Sequence, residues 1–105
     1  MELIKISTTS RTTAVASAIA SSIREQYRAE VQAIGAGAVN QAIKALVLAT
    51  GYLKNEGIDI VAVPEFVDVE IEGKVRTGIK LTIETRFAGD ATTDAPPPPK
   101  KKKDK

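Results

Sequence analysis

The sequence predicts an α/β fold, a two-layer β-α-β-α-β-β sandwich with two helices on one face of the sheet. Three observations predict it. Apolar residues recur at helical spacing in two segments, each preceded by a short run of strand-forming residues. Beyond Gly57 the apolar period shortens to two, with one interruption at Glu72-Gly73-Lys74. A chain of 105 residues holds one domain with an appendage rather than two domains.

The first strand is expected over 2–6, where Leu3, Ile4 and Ile6 dominate. Ser7-Thr8-Thr9-Ser10 follows as a hydroxyl-rich loop, with Ser10 the expected helix N-cap. Helical spacing then runs over 11–28, with Val15, Ala18, Ile19, Ile23 and Tyr27 on the apolar stripe and Arg24, Glu25 and Arg28 on the polar face. A second strand is expected over 30–34. Gly35-Ala36-Gly37 forms a tight turn into a second helix, where Val39, Ile43, Leu46, Val47 and Leu53 make the apolar stripe. Ala38, Ala42, Ala45 and Ala49 leave its other flanks thin, and Gly57 is the stop signal.

The remainder alternates. Val61, Val63, Val67, Val69 and Ile71 precede the turn, and Val75, Ile79, Leu81, Ile83 and Phe87 follow it. A hairpin with a single apolar face pairs residues of equal parity, which sets Ile71 opposite Val75 and Glu70 opposite Arg76 as a cross-strand ion pair. Pro64 cannot donate to a ladder, so its strand is expected to be interrupted or at an edge. Phe66 breaks the alternation and is expected to be exposed; the other three aromatic residues, Tyr27, Tyr52 and Phe87, are expected in the core. Crossovers between parallel strands are right-handed, which brings both helices to one face.

Composition removes several function classes. Residues 1–87 form the domain and carry ten Lys/Arg against ten Asp/Glu, so the domain is neutral. Residues 88–105 hold a four-proline run and five lysines, a composition of a disordered Pro/Lys-rich tail, and they supply the whole net charge of +2. Any affinity of the domain for polyanions must therefore come from how charge is arranged on one face. No cysteine is present, which excludes thiol catalysis and thiolate metal sites; no histidine is present, which removes the usual general base. The opening Met1-Glu2-Leu3-Ile4-Lys5-Ile6 is too polar for a leader, and no spanning segment is visible, so a cytoplasmic location is expected. A domain this small has a modest core, and pairing with a second copy would help it.

Candidate chemistry concentrates at the Gly35-Ala36-Gly37 junction. A strand-to-helix turn of small residues presents the N–H groups of a helix N-terminus to an anion. Asn40 stands where a dinucleotide fingerprint has its third glycine, and no Gly-Lys-Ser/Thr follows, so neither a Rossmann nor a P-loop site is expected. Asn40 and Lys44 share a helix face. Arg11 lies at the start of the first helix, and Lys74 and Arg76 at the hairpin tip, all positions from which a cation reaches a phosphate. Asp68, Glu70 and Glu72 are expected on one hairpin face, but no nucleophile or base accompanies them, so catalysis is not expected. The chain reads as a nucleic-acid-binding module without a cofactor, rather than an enzyme.

Ile34-Gly35-Ala36-Gly37-Ala38-Val39-Asn40-Gln41-Ala42-Ile43-Lys44-Ala45 closely resembles the stage V sporulation protein S family. Val61-Ala62-Val63-Pro64, Glu70-Ile71-Glu72-Gly73 and Thr77-Gly78-Ile79-Lys80-Leu81 are similar to the rest of its pattern, over roughly residues 3–86. The resemblance implies an Alba-like domain with a mixed four-stranded sheet, a homodimer, and a bacterial cytoplasmic protein associated with sporulation and development. In Alba-like proteins the first loop, the start of the second helix and the hairpin contact nucleic acid. Carried onto this chain, those regions hold Arg11, then Asn40 and Lys44, then Lys74 and Arg76, beside the anion-binding turn at Gly35 and Gly37 that the residues themselves suggest. The first loop departs from the Alba pattern, since residues 7–10 include no basic side chain. The expected function is regulatory, DNA or RNA being bound through phosphates with low sequence specificity. The alternative is a homo-oligomeric interaction or scaffolding module without nucleic acid.

Overall fold

The computed structural model describes residues 3–86; Glu2, Phe87 and the tail at 88–105 lie outside the described residues. The order is β1 (Leu3–Ile6), α1 (Thr12–Gln26), β2 (Arg28–Ala33), α2 (Ala36–Lys54), β3 (Asp59–Ile71) and β4 (Lys74–Arg86). The four strands form one mixed sheet in the order β1-β2-β4-β3, with β1 parallel to β2 and both other pairings antiparallel. Both helices cover one face, and the arrangement is the Alba-like one. As expected, β3 is an edge strand: it runs unbroken through Pro64, whose missing N–H costs nothing at a free edge.

The core is built from Val15, Ile19 and Ile23 of α1, Val31 of β2, Leu81 and Ile83 of β4, and a row of alanines. In α2 the buried residues are Leu53, as expected, and Ala38, Ala42, Ala45 and Ala49, which belong to the expected thin flanks rather than to the expected buried stripe. Small side chains let α2 settle closely onto its neighbours, and the larger ones are displaced to the flanks. Val39 and Leu46 are half-buried there, whereas Ile43 and Val47 are exposed, Val47 at 65%.

Further expectations are corrected. Ser10 is not the N-cap of α1; Arg11 holds that position without a side-chain cap, because the Ser10 hydroxyl instead accepts the Ser7 N–H at 2.9 Å within the loop. The helix ends at Gln26, and Tyr27 adopts a left-handed C-cap conformation (φ 64°) and is 63% exposed. With Tyr27 ending the turn, β2 starts at Arg28 and Ala16 and Ala20 are buried, while Ala18 is exposed. Tyr52 is exposed as well. Last, α2 begins at Ala36, with Gly35 rather than Gly37 at its start.

The largest correction is the hairpin register. Ile71 pairs with Lys74 across a two-residue turn, Glu72-Gly73, with both residues at positive φ (52° and 80°). Such a turn matches the right-handed strand twist, and it pairs residues of opposite parity. Glu70 therefore faces Val75, and Arg76 faces Val69. The expectation of one apolar face fails for the same reason: Leu81 and Ile83 turn to the helices beside Pro64 and Ala62, and the odd-numbered valines of β3 turn away. Phe66 lies opposite Ile79 on the helix side and is 79% exposed, as its break in the pattern suggested.

Candidate nucleic-acid interface

Strands β1 and β2 are parallel and each leads into a helix, so both helix N-termini open at the same end of the sheet. Strand β4 runs against β2, and its pairing with β2 begins only at Ile79. The hairpin from Val67 to Gly78 therefore projects as an arm past that same end. Three segments far apart in sequence converge there: the loop after β1, the start of α2 and the arm.

Direct contacts join the first two. The Gln41 side-chain amide donates to the Ser10 carbonyl at 2.8 Å. A Cβ on Gly37 would lie 2.6 Å from Thr8 Cγ2, so the loop packs closely against the first turn of α2 at this glycine. Gly35 is required for a different reason, a backbone at φ 95° and ψ 151° that side chains disfavour. The loop itself is closed by the Ser10 N–H donating to the Ser7 carbonyl at 3.2 Å and the Thr9 N–H donating to the Ser7 hydroxyl at 3.2 Å. Neither helix N-terminus has a side-chain cap or an acidic residue in its first turn, which leaves N–H groups and the positive end of each dipole without a carboxylate neighbour among the described residues.

The cations divide by position. At the opposite end of the sheet Arg24 binds Glu56, Arg28 lies within 4 Å of Glu30 and Glu84, and Arg86 of Asp59. On the sheet face away from the helices Lys80 pairs with Glu65 at 3.4 Å. Arg11, Lys44, Lys74 and Arg76 have no carboxylate partner among the described residues, and neither has Lys5 at the end of β1. Lys54, at the far end of α2, is the remaining unpaired cation among the described residues. Corrected register explains why Arg76 is free: Asp68 and Glu70 share a face with Val75 and Thr77, and Lys74 and Arg76 share the other. Asp68 accepts the Thr77 hydroxyl at 3.0 Å instead.

Arg11, Gly35, Gly37 and Asn40 are thus gathered where the loop meets α2, and Arg76 lines one concavity with Ser7 and Thr8 of that loop. Lys44 is exposed one turn beyond Asn40, and Lys74 is exposed at the arm tip; no contact ties either to the others. Sequence reasoning missed Lys5, Gln32 and Gln41. The parallel register sets Lys5 beside Gln32, and alternation with the inward Ile4 and Ile6 was the signal that Lys5 points to the open face.

Among the described residues there is no cluster of three or more metal-ligating side chains. No helix among them is long and apolar enough to cross a membrane. The model of the stage V sporulation protein S (SpoVS) family matches residues 2–86, the β-α-β-α-β-β domain with its glycine junction and hairpin arm, and the chain therefore belongs to that sporulation-associated family.

Proposed function

We propose that this chain is a non-enzymatic, cytoplasmic regulatory protein that binds nucleic acid through its phosphates with low sequence specificity, and does so as a homodimer. The observation that carries this reading is the segregation of charge in a neutral domain. Arg24, Arg28 and Arg86 at one end are neutralised by carboxylates, and the cations around the loop, the start of α2 and the arm are not. Two uncapped helix N-termini at that end add N–H donors of the kind phosphates accept. Phosphate contacts carry no sequence information by themselves.

The homodimer rests on a separate observation. Because α2 spends its alanine face on the core, Ile43 and Val47 are exposed on the helix, and Phe66 and Val75 are exposed on the helix side of the hairpin. A second copy is the occupant proposed for these side chains, and two copies would double the phosphate contacts. The same surface favours the scaffolding alternative if nucleic acid does not bind. The test is fluorescence anisotropy with a duplex DNA and a single-stranded RNA at two salt concentrations. Affinity that falls steeply with salt supports the reading, and absence of binding to both leaves the scaffolding module.

A further inference from the structure

Where β1 ends and the arm begins, the sheet face away from the helices opens a concavity of about 340 Å³, lined by Lys5, Thr8, Gln32, Ile34, Ile71 and Arg76 among others. All four strands and a loop contribute to it. Its two cations come from β1 and β4, and neither has a carboxylate within 4 Å among the described residues. The Gln32 amide is half-buried and makes no hydrogen bond among them, and the Thr8 hydroxyl makes none either. Ser7, also on the rim, is occupied by the loop, with its hydroxyl 3.0 Å from that of Thr9. Two unpaired cations and two unused polar groups around one recess make a receptor for a compact anion. Its apolar side, Ile34 and Ile71, suits the carbon attached to such an anion rather than a second charge.

We propose that this concavity is a phosphate-binding site for a nucleotide unit. Lys5 and Arg76 hold the phosphate oxygens, Thr8 and Gln32 donate hydrogen bonds, and Ile34 and Ile71 take the sugar. The inference deepens the nucleic-acid reading and rests on it for the source of the phosphate. It adds Lys5, Thr8 and Gln32 to the interface and joins Arg76 to them.

The test has two arms on the full chain: amide NMR titrated with inorganic phosphate, and anisotropy with a 20-base-pair DNA duplex. Phosphate should shift the amides of Lys5, Thr8, Gln32 and Arg76 and leave Lys54 in place. Lys5→Gln with Arg76→Gln should abolish those shifts and weaken the duplex about tenfold or more at low salt, with the salt slope lowered by about two units. Lys5→Arg should retain both responses. Phosphate shifts that vanish in the double variant, with no duplex binding by the unaltered chain, would keep the site and overturn the nucleic-acid reading. Duplex binding that the double variant leaves unchanged would overturn the site and keep the reading. Absence of phosphate shifts at those amides overturns the site whatever the duplex does.

Discussion

Arg76 lies directly across the hairpin from Val69, and Glu70 lies across from Val75. Charge on the arm is thereby sorted by face, Lys74 and Arg76 on one and Asp68 and Glu70 on the other. An ion pair between Glu70 and Arg76 would have spent the arm's guanidinium on the protein itself. Without one, Arg76→Gln removes no folded-state partner, so its stability should change by no more than about 0.5 kcal/mol. The same variant should weaken duplex binding and lower the salt slope by about one unit. Urea unfolding and salt-dependent anisotropy on one preparation check both halves.

Glycine substitutions should separate by the space around each position. A Cβ at Gly78 would meet the Ala33 carbonyl oxygen and Ile34 Cγ1 at 2.7 Å, where β4 crosses the end of β2. Gly78→Ala should cost about 1–3 kcal/mol, as overpacking does. Gly51 is exposed within α2 with nothing within 4 Å, so Gly51→Ala should stabilise by about 0.5–1 kcal/mol. Denaturant midpoints with unchanged slope measure both, and equal effects at the two positions would contradict the packing at Gly78.

The α1 and α2 C-terminal ends are clamped by Arg24, whose Nε donates to Glu56 Oε1 at 3.0 Å and whose Nη2 donates to Oε2 at 2.7 Å. That hydrogen bonding, with a smaller coulombic contribution, holds the Glu56 carboxyl below the usual glutamate range. A lowered folded-state pKa means the contribution is present above the unfolded value and is lost as pH falls through the folded one. Glu56→Gln should therefore narrow the stability difference between neutral pH and about pH 3, with the two chains converging at the acid end. The effect is modest, since both side chains are exposed. Thermal midpoints across that range read it.

Charge placed on the unpartnered flank of α2 should act on assembly rather than on the fold. Val47→Glu introduces a carboxylate at a side chain that is 65% exposed. Light scattering should show a dimer for the unaltered chain and a monomer for the variant, with circular dichroism unchanged. A variant that dimerises as before would remove this face from the interface.

Element order, the edge position of Pro64 and the exposure of Phe66 were legible because each depends on local pattern or on a missing donor. Register was not legible. The alternation of Val67, Val69 and Ile71 with Val75, Ile79 and Leu81 suggests a common face only if the turn has an odd number of residues. Turn preference for Glu72-Gly73 outweighed that matching, because the arm projects beyond the helices and has little core to satisfy. The buried face of α2 was misjudged for a related reason. Residue size suggested the Val39–Ile43–Leu46–Val47 stripe, whereas close helix approach selected the alanines. Within the candidate site, Arg11, Asn40, Lys44, Lys74 and Arg76 could be found as cations or amides at segment ends. Lys5 and Gln32 become neighbours only through the parallel pairing of β1 with β2, which no local pattern encodes.

The central claim is that the unpaired cations at one end of the sheet bind nucleic-acid phosphates. Reversing Arg11, Lys44, Lys74 and Arg76 together to Glu in the full chain tests it most directly, with Lys54→Glu at the far end of α2 as the control. Anisotropy with duplex DNA should show binding lost in the fourfold variant and a salt slope smaller by roughly three to four units in any residual binding, with Lys54→Glu close to the unaltered chain. Equal affinity for the fourfold variant and the control would contradict the account and leave the lysines at 100–105 as the source of any binding.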